Sequence, residues 1–154
     1  MNTSWHSYPI SFALGHRAVQ EILLDPVVVE EKIDGSQFAF GLFPTDDGSW
    51  DLRCRSKGAV LNVVAPEKMF LRAVETVQEL SPLLQPGWTY RAEYLAKPKH
   101  NTLAYDRVPI KHLMVFDINT GHEVYLSAEE KAAETKRLGL EVVPCVHVGM
   151  VESY

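Results

Sequence analysis

The chain has 154 residues, 46% of them hydrophobic and 23% charged, a balance that supports a packed globular domain rather than a disordered or membrane chain. No apolar run approaches the ~20 residues of a membrane-spanning helix, and the opening MNTSWHSYPIS lacks the charged-then-apolar pattern of a secretory signal, so the expectation is one cytoplasmic domain with no membrane partner. A net charge of −5 argues against a protein that coats nucleic acid by charge alone, which needs clustered Lys and Arg.

From Pro26, PVVVEEKIDGSQFAFGLF reads as two β-rich runs split at Asp34-Gly35, a turn dipeptide that predicts a hairpin. PTDDGS breaks the pattern, and WDLRCRSKG resumes it as a third strand from Trp50 to Ser56. Between Pro66 and Leu80 the residues Met69, Phe70, Ala73, Val74 and Val77 recur at three- and four-residue steps. That spacing predicts an amphipathic helix with Pro66 in its first turn. After Gln85-Pro86-Gly87, WTYRAEYL alternates bulky and polar residues and HLMVFDI reads as a buried strand. Ser127 with Glu130 forms a capping-box pattern and Gly139 suits the position past a helix end, so AEEKAAETKRLGL predicts a second helix. The run LEVVPCVHVGMV should then return to the sheet as a strand. The whole is α+β, antiparallel sheet with flanking helices.

Side chains alternate faces along a strand, so Val28, Glu30, Lys32 and Asp34 are expected on one face and Val27, Val29, Glu31 and Ile33 on the other. By spacing alone, a lysine before a turn is a solvated surface residue. Arg53 and Arg55 share one strand face, as do Thr89, Arg91 and Glu93, and amphipathic strands account for both patterns. Cys54 and Cys145 stand alone, and the six histidines lack H-E-x-x-H or H-x3-H spacing, so no metal is expected to be held firmly by this chain.

Four blocks stand in order: E-K-I-D-G-S at Glu31 to Ser36, R-S-K-G at Arg55 to Gly58, Y-R-A-E-Y at Tyr90 to Tyr94, and M-V-F-D-I at Met114 to Ile118. Together they resemble the covalent nucleotidyltransferases, which include DNA ligases, RNA ligases and capping enzymes and whose nucleophile motif is Lys-x-Asp-Gly. Within that superfamily the blocks look most like the phage-type, ATP-dependent RNA ligases that seal nicked duplex RNA. The resemblance implies the ATP-grasp-like nucleotidyltransferase fold of ligases, with residues 1–154 forming part of the adenylyltransferase domain.

The resemblance makes Lys32 the nucleophile that attacks the α-phosphate of ATP to give lysyl-AMP, with Mg2+ assisting through ATP and water. It assigns the nucleotide site to Ile33, Asp34 and Gly35 beside it, to Arg55 on ribose or phosphate, to Glu93 on a ribose hydroxyl, and to Phe116 stacked on adenine. Glu30 or Glu31 would read the adenine amino group, and Asp117 and Lys57 would play supporting polar parts. Ala92 stands where the family has glycine, which costs little if φ is negative and strains the chain if φ is positive.

The family continues to an E-G-hydrophobic-hydrophobic block and a K-x-K block, and neither follows Phe116 here. Lys131 and Lys136 fall on the second helix and cannot substitute by spacing. The expectation is a fold incomplete at its C-terminus, with activity impaired or dependent on a second chain that supplies the missing motifs. The RNA ends would be the substrate. The alternatives left open are a non-catalytic nucleotide- or RNA-binding remnant, or a DNA ligase or capping-type relative.

Overall fold

The computed structural model describes residues 3–152. The chain divides into two compact units, Met1–Ser7 with Ile33–Val142, and Tyr8–Lys32 with Val143–Tyr154.

The larger unit is built on a seven-stranded sheet. Its strands are β2 (Ser36–Pro44), β3 (Trp50–Ser56), β4 (Val60–Leu61), β5 (Thr89–Tyr94), β6 (Leu113–Gly121), β7 (Val124–Tyr125) and β8 (Glu141–Val142). The order across the sheet is β4-β3-β2-β5-β6-β7, all antiparallel, and β8 adds to β6 in parallel. One face carries Phe38, Phe40, Cys54, Tyr90, Ala92, Tyr94, Leu113, Val115 and Ile118, the apolar residues that strand alternation sends to one side. Helix α1 (Leu71–Leu80) buries Ala73, Val74, Val77 and Leu80 against this face. Its rings interlock: Phe40 stacks on Tyr90 at 5.3 Å and Phe70 on Phe38 at 6.0 Å between centroids.

Helix α2 (Ala128–Arg137) starts at the expected capping box, with Ser127 and Glu130 exchanging hydrogen bonds, and ends before Gly139 at φ 72°. Unlike α1, it buries polar groups: Lys131, Glu134 and Thr135. Lys131 and Glu134 are met from the sheet, while the buried Thr135 hydroxyl has no hydrogen-bond partner among the described residues. The Lys131 ammonium donates to the Phe116 carbonyl at 3.0 Å, and the Tyr90 hydroxyl donates to Glu134 at 2.6 Å.

The smaller unit pairs β1 (Val27–Glu30) with β9 (Cys145–Gly149) in an antiparallel two-stranded sheet. Two short 3-10 turns, Arg17–Val19 and Ile22–Leu24, precede it.

Four expectations are corrected. The hairpin at Asp34-Gly35 does not form, because β1 pairs with β9 and β2 pairs with β3 and β5. Since β1 ends at Glu30, the alternation expected through Lys32 and Asp34 does not apply. The final apolar run is two strands, β8 and β9, divided at Val143-Pro144, where proline supplies no N–H to a ladder. The first helix also begins later than its apolar spacing suggests. A 3-10 turn at Lys68–Phe70 precedes α1, and Pro66 lies ahead of both.

Among the described residues, no helix is long and apolar enough to cross a membrane.

Candidate active site

The sheet face opposite α1 is polar, and strand register shows what lies side by side there. Directly paired residues of antiparallel strands share a face. Arg55 pairs with Ala39, Ala39 with Arg91, and Arg91 with Asp117, so these residues form a row across β3, β2, β5 and β6. The next row holds Gln37, Glu93 and Met114. With strands ~4.8 Å apart and ~6.6 Å between alternate residues, the Arg55 and Glu93 side chains rise from points roughly 12 Å apart. Ala39 between them is small and itself buried.

Arg91 is 2% exposed, and its charge is met by short contacts. Its Nε donates to Asn119 Oδ1 at 2.6 Å, and one Nη donates to the carbonyls of Ser4 at 3.2 Å and His6 at 2.7 Å. A buried guanidinium requires this satisfaction. Arg55 is half-buried, with hydrogen bonds to the Ser56 carbonyl at 3.4 Å and the Ser7 hydroxyl at 3.0 Å. Glu93 is half-buried. Ala92 is absent from the positive-φ residues and sits in register opposite Phe38, so alanine in the family's glycine position introduces no backbone strain.

Phe116 lies in a bulge. Arg91 pairs with Asp117 while Ala92 pairs with Val115, which leaves Phe116 as the extra residue of β6. It is half-buried and stands apart from the core cluster that takes its neighbours Val115 and Ile118. Lys131 holds the bulge by its hydrogen bond to the Phe116 carbonyl.

The turn Ile33 to Ser36 leads into β2 and is clamped by the loop after β5. One Asp34 carboxylate oxygen accepts from the N–H groups of Thr102 at 2.9 Å and Leu103 at 2.8 Å, while the Asp34 N–H donates to the Tyr105 hydroxyl at 2.8 Å. Asn101 donates to the Gly35 carbonyl, and Ser36 shares a hydrogen bond with His100. Ile33 is buried. Gly35 has no room for a side chain, since a Cβ there would lie 2.6 Å from the Tyr94 carbonyl oxygen. The glycine of the Lys-x-Asp-Gly block is thus demanded by close approach of backbone to backbone.

In the smaller unit, β1 ends at half-buried Glu30, and the Glu31 N–H donates to the Pro144 carbonyl at 2.9 Å. Glu31 and Lys32 are exposed.

The structure therefore brings Arg55, Glu93 and Asp117 to one face of one sheet and sets Asp34 and Gly35 at the end of β2. Lys57 is exposed just past the end of β3, and Glu30, Glu31 and Lys32 belong to the other unit. Among the described residues, no three His, Cys, Asp or Glu side chains cluster to hold a metal ion. The spacing of motifs missed Arg91 as the polar centre of the face, although a charged residue amid the bulky run of Tyr90 to Tyr94 signals a paired, buried group. The N-terminal contacts and the loop clamp at Asn101 and Tyr105 carry no local sequence signal.

A family model described as RNA ligase matches residues 25–153. A search of curated proteins finds no match. Among solved structures, one titled archaeal ATP-dependent RNA ligase, form 2, is similar at a TM-score of 0.63 and 21% identity, covering 94% of this chain. A putative ATP-dependent DNA ligase from Aquifex aeolicus is similar at a TM-score of 0.59 and 19% identity, covering 92% of this chain. The present chain spans 38% of the length of each of those two. The fold is the nucleotidyltransferase fold of ligases.

Proposed function

The chain belongs to the RNA ligase family, and from that premise we propose that it is the part of an ATP-dependent RNA ligase that takes AMP from ATP onto Lys32. The neutral Lys32 amine forms an N–P bond to the α-phosphorus, the bond from that phosphorus to the bridging oxygen breaks, and pyrophosphate leaves with the electron pair. The nitrogen gives up a proton in the process. An ammonium has no free pair, so the step requires the deprotonated lysine. In the completed reaction AMP passes to an RNA 5′-phosphate, and a 3′-hydroxyl displaces it. A nicked duplex is the substrate class proposed.

The observation that carries this reading is the polar sheet face: Arg55 and Glu93 stand on it across the small residue Ala39. A guanidinium there suits phosphate or ribose oxygens, and a carboxylate suits a ribose hydroxyl. Phe116, displaced from the core by its bulge, offers a ring for adenine. The clamped turn at Asp34-Gly35 gives the backbone after Lys32 a fixed course. Of the acidic residues, Glu30 and Glu31 are proposed for the adenine amino group, with Asp117 and Lys57 in support. The described side chains form no cage for Mg2+, which would arrive on the triphosphate.

Incubation with α-labelled ATP and Mg2+ tests the proposal. Acid-labile label should appear on the protein and be absent from Lys32→Ala. Equal labelling of Lys32→Ala overturns the nucleophile assignment. Folded protein that binds ATP and takes no label favours the nucleotide-binding remnant. Preferential labelling by GTP favours a capping-type enzyme.

A further inference from the structure

Residues 4–7 precede the segment 25–153 that matches the family, yet they lie across the polar sheet face as a fastened strap. The Ser4 hydroxyl donates to the Gly87 carbonyl at 2.7 Å and shares a 2.8 Å hydrogen bond with Thr89, and it is buried. Arg91 grips the strap through the Ser4 and His6 carbonyls, and the Glu123 N–H donates to the His6 ring at 3.3 Å. Held in this way, the strap presents two groups to Arg55. The Arg55 guanidinium carbon lies 5.8 Å from the centroid of the Trp5 ring, and one of its Nη atoms donates to the Ser7 hydroxyl at 3.0 Å. Trp5 is itself braced by Phe43, 5.1 Å between centroids.

We propose that Trp5 and Ser7 are positioning residues that orient the Arg55 guanidinium for the nucleotide. The proposal rests on the reading above in which Arg55 meets that ligand. An arginine on a strand has several torsions to freeze when it binds an anion. Contacts that freeze them beforehand remove that loss from the binding step. A ring beneath the guanidinium and a hydroxyl at its edge do so while leaving the N–H groups not engaged by Ser7 or by the Ser56 carbonyl to donate to a ligand.

The test is ATP affinity of the full chain by calorimetry, in a double-mutant cycle with Arg55→Ala. Trp5→Ala should weaken binding about fivefold, and Ser7→Ala about threefold. Both effects should vanish when Arg55 is already alanine, which loss of general stability would not produce. Trp5→Phe keeps a ring in place and should bind within about twofold of the unaltered protein. Melting curves identify any variant that fails to fold. Ser7→Ala, at an exposed hydroxyl, carries the test if Trp5→Ala is lost. Unchanged affinity in both single variants, or an equal cost in the Arg55→Ala background, overturns the proposal. If Arg55→Ala itself binds normally, the assignment of Arg55 to the nucleotide falls, and the positioning role falls with it.

Discussion

The larger unit encloses an apolar core and the smaller one does not. In the larger unit, Phe38, Phe40, Tyr90 and α1 enclose a core, and the buried polar groups Arg91, Asn119 and Lys131 find partners. In the smaller unit, β1 and β9 pair, yet Val28, Val29, Val146 and Val148 are exposed, and Val143 is the one buried residue among those described. Hydrophobic burial scales with area removed from water, so the smaller unit draws its order mainly from ladder hydrogen bonds. Local opening is cheapest where few apolar contacts must be broken. The residues proposed to read a nucleotide, Arg55 and Glu93, thus stand on the tightly packed unit. The proposed nucleophile Lys32 ends the loosely packed one.

The comparison breaks most visibly in the core. Phe40→Ala should cost about 3–5 kcal/mol, the usual loss for a buried aromatic. Val148→Ala, in the exposed strand β9, should stay within about 0.5 kcal/mol. Urea unfolding of both variants checks this, and similar costs would mean that the smaller unit carries as much stabilising packing as the larger.

What could be read beforehand followed locality. Helix α2 was legible because its capping box and terminal glycine are local chemistry. The strands β3, β5 and β6 were legible because alternation reflects one buried face. Partners were not legible. Asp34-Gly35 has the composition of a hairpin turn, but a turn dipeptide says nothing of which strand lies beside β1, and β9 is more than a hundred residues away. The proposed nucleotide residues Arg55, Glu93 and Phe116 came from the resemblance of ordered blocks. Their placement on one sheet came from register, and the bulge at Phe116 left no mark in the pattern. The Ser4 to Ser7 strap joins positions separated by more than forty residues, where periodicity has no reach.

Glycines sharpen the contrast between space and backbone handedness within the larger unit. Gly35 is not among the positive-φ glycines, but its Cβ would strike the Tyr94 carbonyl. Gly35→Ala should therefore cost about 1–3 kcal/mol through displacement of β5 against the turn. Gly48 is the reverse case, at φ 85° with open space around it, and Gly48→Ala should cost about 1 kcal/mol from conformation alone. Thermal unfolding ranks the two. If Gly35→Ala is as mild as Gly48→Ala, the turn after Lys32 is softer than its clamp by Asp34 implies.

The smallest effect expected is an acid-sensitive share of the larger unit's stability. Burial raises the affinity of the Glu134 carboxyl for its proton, but the Arg137 guanidinium at 2.7 Å and the Tyr90 hydroxyl outweigh it, and the group titrates below its ordinary 4.5. At Glu141, the bidentate hydrogen bonds from Arg107, with help from the Ile110 N–H, act in the same direction against partial burial. A carboxylate with a depressed folded value stabilises the fold above its unfolded value. That contribution disappears as pH falls from about 4.5 through the lower folded value. Because Arg137 is 40% exposed, water screens the Glu134 pair, and its share should be on the order of 1 kcal/mol or less. Melting temperature followed from pH 6 to pH 3, a range of roughly three units around the carboxylate value, should fall more steeply for the unaltered chain than for Glu134→Gln. Equal slopes would show that the Glu134 bonds persist in neutral form and that charge contributes nothing to docking α2 on the sheet.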